Sequence, residues 1–68
     1  MTGGVYKFID LVGTSPKSIE DAVGGAVAHA SKTVHEIRWF EIKEVRGRVE
    51  KNAVVEYQVG LRLGFKLD

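Results

Sequence analysis

The chain has 68 residues, 44% apolar and 28% charged, and its ten basic and nine acidic side chains give a net charge of +1. A chain of this size buries only about 60% of the surface that its unfolded form exposes. Without cysteine it has no disulfide or thiolate zinc site to compensate. We therefore expect oligomerisation, and the even charge balance excludes the polycationic surface of non-specific nucleic-acid binders.

The same features limit where the protein acts and what it binds. No apolar run approaches the roughly 20 residues of a membrane helix. The N-terminal Met1-Thr2-Gly3-Gly4 lacks the basic region and apolar stretch of a signal peptide. The two histidines have no third ligand clustered with them, so no metal site is expected. We predict one cytoplasmic domain, residues 1–68, without membrane or nucleic-acid partners.

The first half of the chain predicts a strand and then a helix. Residues 5–12 are rich in β-branched and aromatic side chains, and their imperfect alternation predicts a well-buried strand that ends at Gly13. The helix has two possible caps, Ser15 with Pro16 at the first helical position, or Ser18 with Asp21 three residues later. It is expected to end near residues 32–33. Its apolar stripe comprises Ile19, Ala22, Val23, Ala26, Val27 and Ala30.

Two glycines in the middle of this helix call for an explanation. Gly24 and Gly25 should each cost about 1 kcal/mol relative to alanine. This cost suggests that another backbone or a ligand approaches the helix there, and close packing on the sheet is the simpler of the two explanations.

The second half predicts two long strands, residues 34–46 and 53–67, joined by a reversal at residues 49–52, with Gly47 breaking the first strand. Odd-numbered positions of the last strand from Val55 to Leu67 are apolar, and the even positions form a polar face. Strands longer than about 40 Å should curl around the helix or pack on neighbouring chains. The predicted fold class is α+β, a β-α-β-β protomer whose three-stranded antiparallel sheet wraps one helix.

Strand pleating places the single tryptophan on the polar face. If Phe40 and Ile42 join the apolar face of the last strand, Trp39 lies on the opposite face, the same face as Gln58 and close to it. Two interpretations stay open. Trp39 fills a subunit interface, where aromatic residues are enriched, or it stacks on a flat aromatic ligand whose polar edge contacts the Gln58 amide.

Several cations are candidates for binding a phosphate group at the same site. Arg46, beside Gly47, is either a solvated side chain at a turn or a cation at the mouth of the site. Lys7, Arg62 and Lys66 are weaker candidates, because lone cations on strands are usually solvated.

No grouping of residues predicts catalysis. His29 and His35 have no nearby nucleophile with a partner acid, and Glu41 and Glu44 are most simply solvated strand charges. Residues 13–16 lack the spacing of a phosphate-binding loop. Nothing in the sequence therefore points to covalent or acid–base catalysis.

Four segments of the chain closely resemble bacterial dodecins. They are GTSP at residues 13–16, WFEIKEVRG at 39–47, YQV at 57–59 and GFKL at 64–67. The similarity spans nearly the whole chain in the same order, and the WFE…RG segment with the later YQV is its most specific part.

The resemblance implies a hollow homododecamer of β-α-β-β protomers with the helices outside. It also implies flavins bound as stacked pairs between symmetry-related Trp39 side chains. Gln58 would contact the pyrimidine edge of the isoalloxazine, and Arg46 would line the site, consistent with a preference for a phosphorylated flavin. FMN, riboflavin and FAD all stay open as the ligand. Lys66 stands where relatives often carry an arginine near phosphate. Some bacterial dodecins also bind coenzyme A, which we keep as a second candidate ligand without a site.

Flavin storage with photoprotective quenching is therefore the predicted function. The alternative is a structural oligomer of the same fold that binds no flavin. A flavin-dependent oxidoreductase is disfavoured, because a ring stacked on both faces leaves little room for a substrate.

Overall fold

Three strands and one helix form the fold in the computed structural model, which describes residues 3–67. The elements are β1 (Val5–Ser15), α1 (Ile19–Ala30), β2 (Ile37–Glu50) and β3 (Ala53–Leu67). All strand pairs are antiparallel in the order β1-β3-β2, so β3 is the central strand. The predicted β-α-β-β class and the bounds of the last strand are confirmed. Residues 1, 2 and 68 of the predicted domain lie outside the described part. The first two of them also begin the N-terminal segment that was compared with a signal peptide.

The first strand differs from its prediction in length and in burial. β1 does not end at Gly13, because Gly13, Thr14 and Ser15 continue the ladder opposite residues 57–59 of β3. It is an edge strand, and most of its residues are exposed. The prediction of a well-buried strand is wrong because only alternate residues, such as Ile9 and Leu11, face the core.

Ser18, not Ser15, is the N-cap of α1. Its side-chain oxygen accepts a hydrogen bond of 2.9 Å from the backbone N–H of Asp21, which satisfies one of the free donors of the first helical turn. Ser15 is only 2% exposed and orders the loop between β1 and α1. Its hydroxyl donates to the Asp21 carboxylate at 2.7 Å and accepts from the backbone N–H of Lys17 at 2.9 Å.

The helix packs mainly on β1 and β3, while Ile37 of β2 packs against the margin of the same core. The core comprises Ala22, Val23 and Ala30 of the helix with Val59, Leu61 and Leu63 of β3. Gly13 permits the contact with β1, since a Cβ there would collide with the carbonyl oxygen of Ala22 and lie 3.1 Å from the Cβ of Ala26. The close approach is therefore at Gly13, not at the helical glycines.

Gly24 and Gly25 have no close neighbour within the described chain. A Cβ added at either position would meet no atom within 4 Å. The explanation that they allow close packing on the chain's own sheet is thus wrong, and both positions face open space in residues 3–67.

β2 and β3 form a long hairpin that closes at Lys51 and Asn52. Both residues have positive φ, 52° and 64°, the conformation of two-residue turns that match the twist of the flanking strands. β2 begins at Ile37 and not at residue 34. Gly47 does not break the strand, because it pairs with Tyr57 in the ladder.

The hairpin extends well past the helix. The radius of gyration is 14.3 Å and the dimensions are 56 × 21 × 14 Å, whereas a compact domain of this length has a radius of gyration of about 11 Å. Within residues 3–67, no helix has the length and apolar character needed to span a bilayer.

Candidate ligand-binding site

The sheet face turned away from α1, here called the outer face, carries all four residues predicted for the site. Pleating and register place Trp39 and Arg46 of β2 and Gln58 and Lys66 of β3 on it. Phe40, on the next position of β2, faces the helix side opposite Leu63. The predicted placement of Trp39 on the side away from the helix is confirmed.

Trp39 belongs to an aromatic cluster with Tyr6 and Phe8. The Tyr6 ring lies 5.2 Å from Trp39 between centroids at a tilt of 52°, and the Phe8 ring lies 5.9 Å away in an edge-to-face arrangement of 85°. Such contacts each contribute about 0.5–1.5 kcal/mol beyond burial. Trp39 nevertheless remains 38% exposed, so part of the indole is available for a further contact.

At the end of the outer face away from Trp39, polar side chains form a series of hydrogen bonds. Arg46 lies opposite Gln58, and its Nε donates a hydrogen bond of 2.8 Å to the Gln58 Oε1. The Gln58 Nε2 donates in turn to Glu56 at 3.0 Å. That bond, followed by the contact with Arg48, lowers the pKa of Glu56 below its usual value. An amide has two N–H donors and two acceptor lone pairs, so Gln58 keeps one of each for a ligand.

Within one chain, Trp39 and Gln58 lie far apart. Trp39 is opposite Gly64, six residues along β3 from Gln58, which is about 20 Å at the usual strand rise. The prediction that the two side chains lie close together is wrong for a single chain, although they share a face. The reason is that a hairpin closing at Lys51 and Asn52 pairs Arg46, rather than Trp39, with Gln58.

The remaining predicted cations have different surroundings. Lys66 lies opposite Tyr6, at the Trp39 end of the outer face. Arg62 donates a hydrogen bond of 2.9 Å to Asp10, which raises the pKa of the guanidinium, and it lies 4.9 Å from the centre of the Phe8 ring. Lys7 lies opposite Phe65, so it points to the helix side of the sheet. Arg62 therefore links β1 and β3, whereas Lys66 lies on the outer face at the end that carries Trp39.

Sequence reasoning missed the contribution of β1 to this site. Tyr6 and Phe8 alternate with Ile9 and Leu11, which would have placed them on the outer face had β1 been treated as one-sided. Their approach to Trp39 depends on the β1–β3 register, in which Phe8 lies opposite Gly64. No residue pattern in the sequence specifies that register.

The arrangement is suited to binding rather than to covalent chemistry. It offers a partly exposed aromatic ring, an ordered amide and a guanidinium. Among residues 3–67, no group of three or more histidine, aspartate or glutamate side chains is placed to hold a metal ion.

Comparison with known proteins gives one consistent family. A family model described as Dodecin matches residues 5–68. A dodecin of Thermus thermophilus is 48% identical over 66 residues, covering 97% of this chain and 96% of the relative. A protein named calcium dodecin, of Mycobacterium tuberculosis, is 38% identical and covers 93% and 89% of the two chains. Among solved structures, the dodecin of Streptomyces coelicolor has a TM-score of 0.93 at 44% identity, with 100% and 97% coverage.

Proposed function

The chain belongs to the dodecin family, and from that premise we propose that it binds, stores and photoprotects flavin as a homododecamer. The isoalloxazine rings stack in pairs between the Trp39 side chains of neighbouring copies. The observation that carries the proposal is the orientation of Trp39, a partly exposed indole held on the outer face by two aromatic neighbours.

Stacking is the main interaction expected at Trp39. The indole already contacts Tyr6 and Phe8 and is 38% exposed, so a flat tricyclic ligand has the exposed part of the ring to cover. A base stacked on an aromatic side chain contributes about 1–3 kcal/mol. An indole in van der Waals contact with an excited flavin also donates an electron readily, which quenches flavin fluorescence and protects the ligand from light.

The distance between Trp39 and Gln58 requires two copies of the chain. A gap of about 20 Å exceeds the size of a tricyclic ring system, so one chain cannot both stack on the ring and bind its polar edge. In a site built across a symmetric interface, the same patch of both subunits contributes. Trp39 of one copy then stacks on the flavin while Gln58 of the other pairs with its pyrimidine edge.

The helix side of the sheet supports oligomerisation. An apolar groove of about 590 Å³ lies between α1 and β2, lined by Val23 and Val27 of the helix and by Phe40 and Ile42. Phe40 is 51% and Ile42 46% exposed. Side chains of this kind are normally buried, and contiguous exposed apolar surface marks interaction sites.

The cations favour a phosphorylated flavin. Arg46 donates to Gln58 through Nε only, and its terminal nitrogens, one of which also lies 3.3 Å from Glu44, have further donors for a phosphate. Lys66 adds a point charge at the Trp39 end. We therefore propose a phosphorylated flavin, FMN or FAD, ahead of riboflavin. Nothing observed on residues 3–67 supports a coenzyme A site. The same residues give no support for calcium binding, which the name of the mycobacterial relative indicates for that protein.

We do not propose an enzymatic reaction. A flavin covered by indole on one face and by a second flavin on the other leaves no face open for hydride transfer. Steady-state turnover of a nicotinamide donor with an electron acceptor would revive an oxidoreductase function.

Replacement of Trp39 by alanine tests the stacking role. Purified wild-type protein is titrated into FMN while flavin fluorescence is followed, and size-exclusion chromatography reports the assembly. Trp39→Ala should lose about 1–3 kcal/mol of binding free energy, or roughly tenfold to hundredfold in affinity, and most of the quenching. Trp39→Phe keeps a smaller aromatic ring, so its FMN affinity and quenching should lie between those of the wild type and Trp39→Ala.

The outcomes separate the two functions. Loss of flavin binding with the assembly intact supports stacking. Collapse of the assembly in Trp39→Ala favours the structural oligomer in which the indole fills an interface, and unquenched FMN in the presence of wild-type protein would contradict the proposal directly.

A further inference from the structure

We infer that Gly64 is a positioning residue for this site, because its lack of a side chain lets the Trp39 indole lie face-down on β3 and so sets the plane on which a ligand stacks. The inference rests on the proposed function for its ligand, whereas the placement of the indole can be tested without one.

The contact between Gly64 and Trp39 involves the face of the ring. A Cβ built on Gly64 would lie 2.5 Å from Cζ2 and 2.8 Å from Cδ2 of the indole. Together with Cε2, the nearest indole atom, they are three consecutive ring atoms that include both carbons of the ring-fusion bond. That bond can be approached so closely only from a face of the indole, so the ring plane covers the glycine rather than touching it with an edge. Carbon atoms in contact normally lie about 3.5–4.0 Å apart, and any side chain at position 64 must displace the indole.

Residues of β1 and β2 lie on either side of Gly64 in the sheet. Gly64 lies between Phe8 of β1 and Trp39 of β2 in one cross-strand row. The Phe8 ring meets the indole edge-to-face and the Tyr6 ring lies against it at a tilt. With one face on the backbone of β3, the indole has its opposite face turned away from the sheet.

Phe8 is itself fixed in place. Arg62 lies 4.9 Å from the centre of the Phe8 ring and bonds to Asp10 on the same strand as Phe8. A cation over an aromatic ring is attracted by the ring's negative face. Asp10 therefore positions Arg62, Arg62 positions Phe8, and Phe8 contacts Trp39. Gly64 lies beneath the indole.

The geometry gives a specific consequence for the smallest possible change. A methyl group at position 64 would occupy the space of the indole, and Tyr6 and Phe8 limit a shift of the ring toward β1. The ring must lift or rotate, and it then no longer presents the same plane to a ligand. Gly64→Ala should therefore weaken flavin binding although the substitution is far smaller than Trp39→Ala.

Gly60 provides a matched control on the same strand and the same face. A Cβ at Gly60 would meet the Cγ of Glu44 at 3.1 Å, and the side chain of Glu44 is 60% exposed and ends in an ion pair with Arg46 at 3.3 Å. Gly60→Ala makes the same chemical change four residues away without touching the aromatic cluster. Any general effect of alanine in place of glycine on β3 appears in both variants.

The experiment measures the indole and the ligand separately on the assembled protein. Because the chain has one tryptophan, near-ultraviolet circular dichroism and tryptophan emission of the ligand-free protein report on Trp39 with few contributions from elsewhere. FMN titration then gives the affinity. Gly64→Ala should alter both indole spectra and reduce FMN affinity about tenfold or more, while Gly60→Ala should leave the indole spectra as in the wild type.

A second variant keeps the inference testable if Gly64→Ala does not fold. Phe8→Leu preserves apolar volume but removes the edge-to-face contact, and should shift the indole spectra and weaken FMN binding about two- to tenfold. Unchanged indole spectra in Gly64→Ala, or altered spectra with unchanged FMN affinity, would overturn the inference. If wild-type protein binds no FMN, the proposed function fails. The ligand-free spectra of Gly64→Ala then still decide whether Gly64 positions the indole on β3.

Discussion

Gln58 shows how neighbouring charges can orient a single amide. Its oxygen accepts from Arg46 and its nitrogen donates to Glu56, so the two ends of the amide are distinguished by a cation on one side and an anion on the other. The unused N–H and lone pair then point in defined directions. A hydrogen-bonding edge fixed before the ligand arrives reduces the ordering cost of binding.

The carboxylate of Glu56 gives this arrangement a pH dependence. The hydrogen bond from Gln58, and after it Arg48, lowers the pKa of Glu56 in the folded protein. A lowered pKa means that the contribution to stability is complete above the carboxyl's ordinary value of 4.5 and is lost as the pH falls through the lower, folded value. The wild type should therefore melt above Glu56→Gln at pH 7, and the difference should shrink in acid.

Thermal unfolding of both proteins across pH 3 to 7 measures this effect at fixed protein concentration, since the melting temperature of an oligomer depends on concentration. A difference between the two proteins that stays constant down to the lowest pH would show that the Glu56 charge does not hold the amide.

At the scale of elements, the sequence predicted what local patterns determine. The alternating pattern of β3 gave its bounds, and the apolar stripe with its caps located α1. The end of β1 was missed because residues 13–15 become strand only through pairing with β3. The helical glycines were assigned a contact that belongs to Gly13, since which glycine meets the helix depends on tertiary packing.

The helix cap is an element whose contribution can be measured. Ser18→Ala removes the acceptor for the Asp21 N–H and should cost about 1 kcal/mol of unfolding free energy. Ser31→Ala, at the other end of α1, removes only a hydroxyl bond to the Ala28 carbonyl on an exposed turn and serves as the control. Urea unfolding at one protein concentration compares them, and an equal loss from both variants would contradict the assignment of Ser18 as the cap.

At the scale of the whole molecule, a single copy leaves apolar surface uncovered. Its length of 56 Å, the open groove between α1 and β2 and the exposed Phe40 and Ile42 all leave apolar surface that a single copy does not cover. Pattern alone placed Trp39 and Gln58 on one face of the sheet. It could not give their separation, because that depends on where the hairpin closes and on the irregularities that shift its register.

The two ends of the outer face are thus expected to meet only between copies. If Trp39 and Gln58 act on the same flavin, they come from different chains, and each chain supplies a tryptophan to one ligand and an amide to another. This is the central claim, and it distinguishes the proposed site from a pocket within one protomer.

Complementation between two inactive variants tests that claim most directly. Trp39→Ala and Gln58→Ala proteins are unfolded, mixed and refolded together, and FMN quenching is measured at a concentration where neither variant alone is saturated. Mixed assemblies contain sites with Trp39 from one chain and Gln58 from another, so binding should be partly restored. A co-refolded mixture that binds no more FMN than the average of the two variants refolded separately would contradict a site shared between chains.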